Sequence, residues 1–311
     1  MKKLAPIALF TYNRPEHTKR TVEALQKNYL APESELFIFS DGAKNDDALS
    51  SVNEVRKYLK KISGFASVKI IEQEHNLGLA NSIINGVTKI VNEYGKIIVV
   101  EDDIITSHYF LSYMNDALDL YENDETVCNI DGFLAPLEFN NMPQSFFMPL
   151  VEIWGWGTWK RAWKNFEPDA YKLLSELKAK GLEQGFDCDG EFPAHVEMLK
   201  AQAEGKVNSW AIRWFASNYI LGKLSLSPGQ TFTINIGMDG TGVHCAKIDD
   251  DSSLNGQLVT TYEPLKKIPV EINQEVWEAV KQARHNTLPK QKPFLFRALR
   301  KMYRVFKSFI K

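Results

Sequence analysis

The sequence predicts an α/β fold built on a mostly parallel sheet that is flanked by helices. In the first hundred residues, short apolar segments alternate with longer segments whose apolar residues recur at helical spacing. A strand, a helix and a second strand in succession favour parallel pairing with a right-handed crossover. Polar and acidic residues follow each apolar segment, and ligands bind at the carboxyl ends of the strands in such sheets.

Four strands and three helices are predicted along this first region. The strands cover residues 4–12, 35–42, 67–73 and 96–102. The helices cover residues 15–28, 46–62 and 78–94. Pro15 suits the first turn of its helix, and Asp46 is the expected N-cap of the next one. Beyond residue 103 the alternation fades, and the further predictions are helices at 107–122, 170–181 and 193–204, a strand at 127–133 and a loop at 246–265.

Composition places the chain among ordinary globular proteins, with 311 residues, 44% of them hydrophobic and 24% charged. A formal net charge of -2 gives no general affinity for polyanions. No segment approaches the roughly 20 apolar residues that span a bilayer, and no signal peptide is expected because the first apolar run breaks at "TYNRP". Cys128, Cys188 and Cys245 are widely spaced, which indicates reduced thiols in the cytosol and no zinc site.

The fourth predicted strand ends in three consecutive acids, Glu101, Asp102 and Asp103. Adjacent like charges at the end of a buried strand need a counter-charge, and carboxylate oxygens suit Mg²⁺ or Mn²⁺. Because side chains alternate along a strand, one or two of these acids would hold an ion while the others orient a ligand. The alternative is a solvated turn, in which acids are common.

Polar residues also lie at the carboxyl ends of the other three predicted strands. They are Thr11, Asn13 and Arg14 at the first, Asp41 at the second, and Asn76 and Gly78 at the third. Arg14 can pair with phosphate oxygens in a forked geometry, and Asp41 can accept from a base N–H or a sugar hydroxyl. Each residue alone also fits a surface ion pair or a simple turn. Their occurrence at successive strand ends favours one binding crevice.

Four segments together resemble a GT-A glycosyltransferase: "PIALFTYNRPEHTKRTVEAL", "FIFSDGAK", "IIEQEHNLGLANSIINGV" and "IIVVEDDIITSHYFLSYMNDAL". The similarity is to bacterial family 2 enzymes and, more distantly, to the N-acetylglucosaminyltransferase I type, whose DXD motif has the form "EDD". It covers residues 4–133 well and extends more loosely to residue 245. The resemblance implies the Rossmann-like GT-A fold with a mixed sheet, and a hexosyl- or N-acetylhexosaminyltransferase.

The resemblance also implies a nucleotide-sugar donor, with a UDP-sugar favoured, and a role for each strand end. Asp41 would contact the base, and Arg14 would lie near the diphosphate. Glu101 and Asp102 would lie near the ribose and the donor sugar, and Asp103 would ligate Mn²⁺ or Mg²⁺. The other polar residues at the strand ends would complete the donor site.

Three regions follow from this assignment. Residues 1–105 form the nucleotide-sugar-binding half, residues 106–265 the acceptor-binding and catalytic half, and residues 266–311 a C-terminal extension.

The catalytic base departs from the pattern of the relatives. An inverting transfer needs a carboxylate that deprotonates the acceptor hydroxyl, and many relatives carry it in a "W-D-x-x-W" segment. Here the segment reads "WAIRW", with Ala211 at that position. We favour Asp239, because mobile glycine-rich loops often close over such sites, although Asp239 also fits a simple turn before Gly240. The other carboxylate candidates are Glu152, Asp187, Asp189 and Glu191.

Two basic residues and a tryptophan-rich segment have two interpretations each. Arg213 either binds a donor phosphate or an acidic acceptor, or it is a structural residue. His244 is a candidate second ligand of the metal or the diphosphate, because related folds often place a histidine there, but a lone histidine is usually structural. Trp154, Trp156 and Trp159 either stack on a sugar ring or pack in the core.

Residues 290–311 carry eight basic residues and no acids. A helical projection puts the cations on one side and the apolar residues on the other, the pattern of an interfacial helix on an anionic membrane. The alternative is a helix docked on the catalytic domain or on a second subunit in a homodimer. We therefore expect a cytoplasmic protein, peripheral on the inner face of the plasma membrane, with a glycan or lipid-linked glycan acceptor such as a surface-polysaccharide intermediate. No nucleic-acid partner is expected.

Two other function classes stay open at this point. A nucleotidyltransferase also uses nucleotides, acids and a metal on an α/β sheet, but it usually has a glycine-rich basic loop that "TYNRPEHTKR" lacks. A non-catalytic sugar-nucleotide-binding protein is favoured by Ala211.

Overall fold

The computed structural model of the protein describes residues 3–239 and 255–287. The strands are β1 (Ile7–Thr11), β2 (Glu35–Ser40), β3 (Ser67–Glu72), β4 (Lys96–Glu101), β5 (Ile104–Thr106), β6 (Val127–Asp131), β7 (Ser145–Met148), β8 (Trp156–Trp159), β9 (Leu224–Pro228) and β10 (Thr233–Asn235). The helices are α1 (Pro15–Gln26), α2 (Asp46–Leu59), α3 (Leu79–Tyr94), α4 (Phe110–Leu120), α5 (Lys160–Trp163), α6 (Ala170–Ala179), α7 (Glu183–Phe186), α8 (His195–Ala203), α9 (Trp210–Ile220) and α10 (Gln274–Thr287).

A mixed, mostly parallel sheet forms the centre of this α/β structure. Its strand order is β3-β2-β1-β4-β8-β6-β9-β7. The first four strands pair in parallel, as the alternation of strands and helices predicts. β8 lies antiparallel between β4 and β6, and β7 lies antiparallel to β9. The predicted fold class is therefore confirmed for the described residues.

The core explains why the first strands are apolar along their whole length. β1 and β2 are covered on both faces, and all of β1 is buried. Phe10 of β1 stacks on Phe39 of β2, with ring centroids 4.9 Å apart. A Cβ atom on Gly86 of α3 would lie 2.6 Å from the ring of Phe10, so this glycine lets the helix pack directly on the sheet.

A second, two-stranded sheet lies immediately after the three acids. β10 pairs antiparallel with β5, and Asn235 lies opposite Ile104. This pairing brings the chain from residue 233 onwards back to the end of β4.

One predicted cap is wrong. Asn45, rather than Asp46, is the N-cap of α2, and its side chain accepts a hydrogen bond from Ala48 N at 3.2 Å. Asp46 is instead the first helical residue, where an acid is also favoured because it opposes the positive end of the helix dipole. Short polar and acidic side chains are common both at the N-cap and at the first helical position. The residue types alone therefore do not show which of Asn45 and Asp46 is the cap.

Several predictions fall on residues outside the described ranges, namely His244, Cys245 and the basic segment 290–311 with its amphipathic helix. Cys128 and Cys188 are buried free thiols. No helix within the described residues is long and apolar enough to cross a bilayer.

Candidate active site

The carboxyl ends of three neighbouring strands form the floor of the candidate site. Thr11 at the end of β1 lies opposite Ser40 at the end of β2. Phe10 lies opposite Glu101 at the end of β4. Thr11 O also accepts a hydrogen bond from Asp41 N at 3.0 Å, which continues the pairing past the end of the strand. The polar residues at these strand ends are therefore neighbours, as the sequence predicts.

Arg14 binds two of the three acids. It is the N-cap residue of α1, and its Nη2 donates to Asp102 Oδ1 and to Asp103 Oδ2, the latter at 2.9 Å. The Arg14 side chain is only 17% exposed, and both partners are buried. Burial alone would lower the pKa of Arg14, but the charges of Asp102 and Asp103 outweigh burial and raise the pKa.

One arginine faces three carboxylates, so negative charge remains in excess at the end of β4. Burial, together with the charges of Asp103 and Asp102, raises the pKa of Glu101 to about 8. Burial also raises the pKa of Asp102, although Arg14 opposes this effect. The folded protein thus holds these acids in an environment that favours an additional cation or a proton.

Three buried polar atoms beside the acids have no hydrogen-bond partner among the described residues. They are Thr11 Oγ1, Arg14 Nη1 and Thr18 Oγ1. A buried donor without an acceptor costs roughly 1–3 kcal/mol, and a bound ligand could supply the missing acceptor. All three can donate to oxygen, which is what a phosphate group offers.

The chain after β10 lies directly against this cluster. Ile236 N donates to Asp103 O at 2.9 Å. A Cβ atom on Gly237 would lie 2.9 Å from Asp103 Cγ and 3.0 Å from Arg14 Nη1, so only glycine allows this approach. Two residues further on, Asp239 Oδ2 lies 3.1 Å from His17 Nε2 in the first turn of α1. The favoured base candidate therefore lies at the edge of the acid cluster.

Asp41 is buried and organises the turn between β3 and α3. Its carboxylate accepts four hydrogen bonds, from Gly42 N (2.9 Å), Leu77 N (2.8 Å), Gly78 N (3.0 Å) and Asn76 Nδ2 (3.0 Å). A carboxylate offers about four lone-pair sites, so a bond to a nucleotide base would have to replace one of these. The predicted base contact of Asp41 stays a prediction. Asn13, in the turn after β1, is partly buried.

The other carboxylate candidates lie with α10 or α8 instead of the acid cluster. Glu152 pairs with Arg284, Asp189 with Lys281 at 2.6 Å, and Glu191 with His285 at 2.8 Å. Asp187 Oδ1 accepts from Val196 N at 2.9 Å. Within the described ranges, their hydrogen bonds and ion pairs connect α10 and α8 to the rest of the domain, which weakens the case for each as a base.

Arg213 has the bonds of a structural residue. It donates to Ser209 O at 3.0 Å, to Asn208 Oδ1 at 3.1 Å and to Pro168 O at 3.4 Å. These bonds fix the start of α9, and burial lowers the pKa of Arg213. The structural interpretation that the sequence left open is thus favoured.

The tryptophans divide between the core and a partly exposed position. Trp156 and Trp159 are buried, and Trp156 stacks on Trp210 with centroids 5.2 Å apart. Trp154 is partly buried and packs against Phe133 at 4.5 Å. Of these three tryptophans, Trp156 and Trp159 are core residues, and stacking of Trp154 on a sugar ring stays a prediction.

Sequence reasoning did not single out His17 or Gly237. Helical spacing was the available signal for His17, because a residue three positions after Arg14 lies on the same side of a helix. No local signal identifies Gly237, since its role depends on the pairing of β10 with β5.

Comparison with known proteins places the chain in a family. The family model for glycosyl transferase family 2 matches residues 7–175, which include the ends of β1 to β4. Comparison with curated proteins gives no match.

Three solved structures are similar at low identity. The mannosyltransferase PcManGT from Pyrobaculum calidifontis, in complex with GDP-Man and Mn²⁺, is 13% identical over 70% of this chain and 74% of its own, with a TM-score of 0.38. TarS from S. aureus is 18% identical over 48% of this chain and 25% of its own, with a TM-score of 0.31. TarS 1-349 in complex with UDP-GlcNAc is 17% identical over 48% of this chain and 40% of its own, with a TM-score of 0.32. This chain thus spans less than half of either TarS chain.

The family match covers more than half of the sequence, and the sheet has the strand pattern expected of a GT-A enzyme. The family match also favours a glycosyltransferase over the nucleotidyltransferase alternative. The chain belongs to glycosyl transferase family 2 and is a glycosyltransferase of the GT-A fold.

Proposed function

We propose that this glycosyltransferase is metal-dependent and transfers a sugar from a nucleotide-sugar donor bound at the ends of β1, β2 and β4. The observation that carries the proposal is the arrangement of Arg14 against Asp102 and Asp103, with Arg14 Nη1 buried and without a hydrogen-bond partner among residues 3–239 and 255–287. Excess carboxylate charge favours a cation, and unpartnered donors favour phosphate oxygens. A metal-bound nucleoside diphosphate supplies both.

The residues at the end of β4 fit a hard divalent cation. Mg²⁺ commonly binds through one or two carboxylates, with substrate phosphates and water as the other ligands. Within the described residues no group of three or more His, Cys, Asp or Glu side chains converges on one point, so phosphate oxygens would have to complete the coordination. Asp103 would be the direct ligand, with His244 as a candidate second one. When bound, the ion stabilises the negative charge of the departing diphosphate.

The protein's own groups bind and orient the donor. Arg14 Nη1 and the hydroxyls of Thr11 and Thr18, which are buried without a partner among the described residues, would donate to the diphosphate. Glu101 and Asp102 would accept hydrogen bonds from the ribose and the donor sugar. The nucleotide base of the donor would lie towards Asp41 and Asn76, at the end of β2. A UDP-sugar is our preferred donor.

The transfer needs a base for the acceptor hydroxyl. The acceptor oxygen forms a bond to the anomeric carbon, the bond from that carbon to the diphosphate oxygen breaks, and the diphosphate leaves with the electron pair. The hydroxyl proton passes to a carboxylate. We assign this role to Asp239, since its side chain is 43% exposed and its loop lies against Asp103.

A lipid-linked or surface-polysaccharide acceptor at the inner face of the plasma membrane completes the proposal. Its support is the uniformly basic, amphipathic sequence of residues 290–311. A non-catalytic sugar-nucleotide-binding protein is the alternative that Ala211 favoured, and the family match argues against it.

A screen of nucleotide sugars by thermal shift, with and without Mn²⁺, tests the donor site. We expect one donor to raise Tm only when Mn²⁺ is present, and Asp103→Asn to remove that shift. Asp47→Asn, an exposed acid of α2, is the matched control. Release of nucleotide from the same donor would separate an enzyme from a binding protein. The proposal would be contradicted if no nucleotide sugar raised Tm in the presence of Mn²⁺ or Mg²⁺.

A further inference from the structure

We propose that His17 is a positioning residue that holds the carboxylate of Asp239 at the edge of the donor site. This inference rests on the proposed function, in which Asp239 is the base. His17 Nε2 lies 3.1 Å from Asp239 Oδ2, within hydrogen-bond distance. The His17 side chain is only 15% exposed, whereas that of Asp239 is 43% exposed, so a buried group anchors a more accessible one.

His17 is itself held rigidly relative to the diphosphate-binding candidate Arg14. Arg14 is the N-cap of α1, and His17 lies in its first turn, which begins with Pro15, a residue whose fixed φ suits that position. Thr18 N donates to Arg14 O at 2.9 Å, which closes this turn. Arg14 is in turn bound to Asp103. The imidazole of His17 therefore has a fixed position relative to the end of β4.

The loop that carries Asp239 is fixed at its other end by β10. Asn235 N donates to Asn255 Oδ1 at 2.9 Å, and Asn255 Nδ2 donates to Asn235 O at 2.8 Å. Gly237 N donates to Asn235 Oδ1 at 2.7 Å, and Ile236 N donates to Asp103 O at 2.9 Å. The contact with His17 thus adds to these attachments of residues 236–239.

A catalytic base on a loop is held in an accurate position only when the residues that support it are rigid. A carboxylate must lie within hydrogen-bond reach of the proton that it removes, and a displacement of about 1 Å can reduce the rate about a hundredfold. His17 supplies the support, because α1 also fixes Arg14. The imidazole does not need to touch the substrate.

The test uses the full chain and the variants His17→Ala, His17→Gln and Asp239→Asn. His108→Gln, an exposed histidine after β5, is the control. With the donor found in the thermal-shift screen and Mn²⁺, we expect His17→Ala to lower kcat about tenfold to a hundredfold, with the donor KM changed less than about threefold. The amide N–H of His17→Gln should restore part of the loss. The double variant should be no slower than Asp239→Asn alone, since both changes remove one interaction.

A second readout does not depend on turnover. Hydrogen exchange of the amides of residues 236–239 should be faster in His17→Ala than in the wild type or His108→Gln. Unchanged exchange, a wild-type kcat for His17→Ala, or effects of the two single variants that multiply in the double variant would each overturn the assignment of His17. A wild-type protein that releases no nucleotide from any donor would instead overturn the proposed function, and the exchange measurement would still decide whether His17 holds Asp239.

Discussion

Arg14 Nη2 lies 2.9 Å from Asp103 Oδ2, which joins the first turn of α1 to the end of β4. The same nitrogen also donates to Asp102. These residues are far apart in sequence, yet the parallel pairing of β1 with β4 places them together. The contact sets the position of Nη1, which has no partner among the described residues and which we propose binds the diphosphate.

Arg14→Lys tests the forked geometry of this contact. An ammonium group keeps the charge but cannot bind two carboxylates and a phosphate in one plane. We expect UDP to bind about tenfold more weakly, or worse, in the presence of Mn²⁺, measured by calorimetry. Arg20→Lys on an exposed position of α1 should change nothing. If the wild type and Arg14→Lys bound UDP with equal affinity, Arg14 would serve only in the ion pair with Asp102 and Asp103.

Gly237→Ala tests the close approach of the loop after β10. The new methyl group would overlap Asp103 Oδ2 and lie 3.0 Å from Arg14 Nη1, so the loop must move away from the acids. We expect lower nucleotide-sugar affinity, measured as a smaller rise in Tm when donor and Mn²⁺ are added, because the displaced loop disturbs Asp103 and Arg14. At Gly256, by contrast, the added methyl would meet Thr231 Cγ2 at 3.3 Å and nothing of the acid cluster. Gly256→Ala should therefore bind donor normally, and a normal Gly237→Ala would show that the loop does not bound the site.

Asp41→Asn separates two roles of one carboxylate. The amide would turn an NH₂ group towards donors that now bond to carboxylate oxygen, including Leu77 N and Gly78 N. We expect a loss of roughly 2–4 kcal/mol in the free energy of unfolding, measured with urea. Asp47→Asn is again the control. Full stability combined with lost discrimination between nucleotide bases would instead show that Asp41 acts mainly as the base contact.

His195 should make stability depend on pH. Burial, followed by the charge of Arg284, lowers the pKa of His195 from 6.5 to about 3. Below pH 6.5 the unfolded chain takes up a proton that the folded protein excludes until about pH 3, so stability is fully present above pH 6.5 and falls as pH drops through this window.

In the wild type, Phe186 O accepts a hydrogen bond from His195 Nδ1 at 2.9 Å. The amide of His195→Asn can still donate to Phe186 O, but asparagine does not titrate. We expect the wild type to lose roughly 2 kcal/mol more than this variant between pH 7 and pH 4.5 in urea unfolding. Parallel pH profiles for the two proteins would show that another group dominates.

The basic segment 290–311 should bind anionic membranes. Its eight cations are each worth about 1 kcal/mol near such a surface. Removing the segment should abolish sedimentation with vesicles that contain phosphatidylserine and leave Tm unchanged. Vesicles of phosphatidylcholine alone are the control. Undiminished sedimentation of the shortened chain would refute a membrane role for this segment.

The sequence by itself determined the first four strands, the three helices between them and the polar strand ends, because hydrophobic periodicity is a local property. The acids at 101–103 and the arginine at position 14 were identifiable for the same reason. It could not choose between Asn45 and Asp46 as a cap, since adjacent positions at a helix start favour the same residue types.

Only the tertiary structure decided which acids stand beside the cluster at 101–103. Glu152, Asp189 and Glu191 were candidates behind Asp239, and α10 supplies a basic partner for each. Asp239 and Gly237 reach the acids because β10 pairs with β5, across more than a hundred residues of chain. Such contacts depend on the path of the whole backbone, and no local pattern of residue types encodes that path.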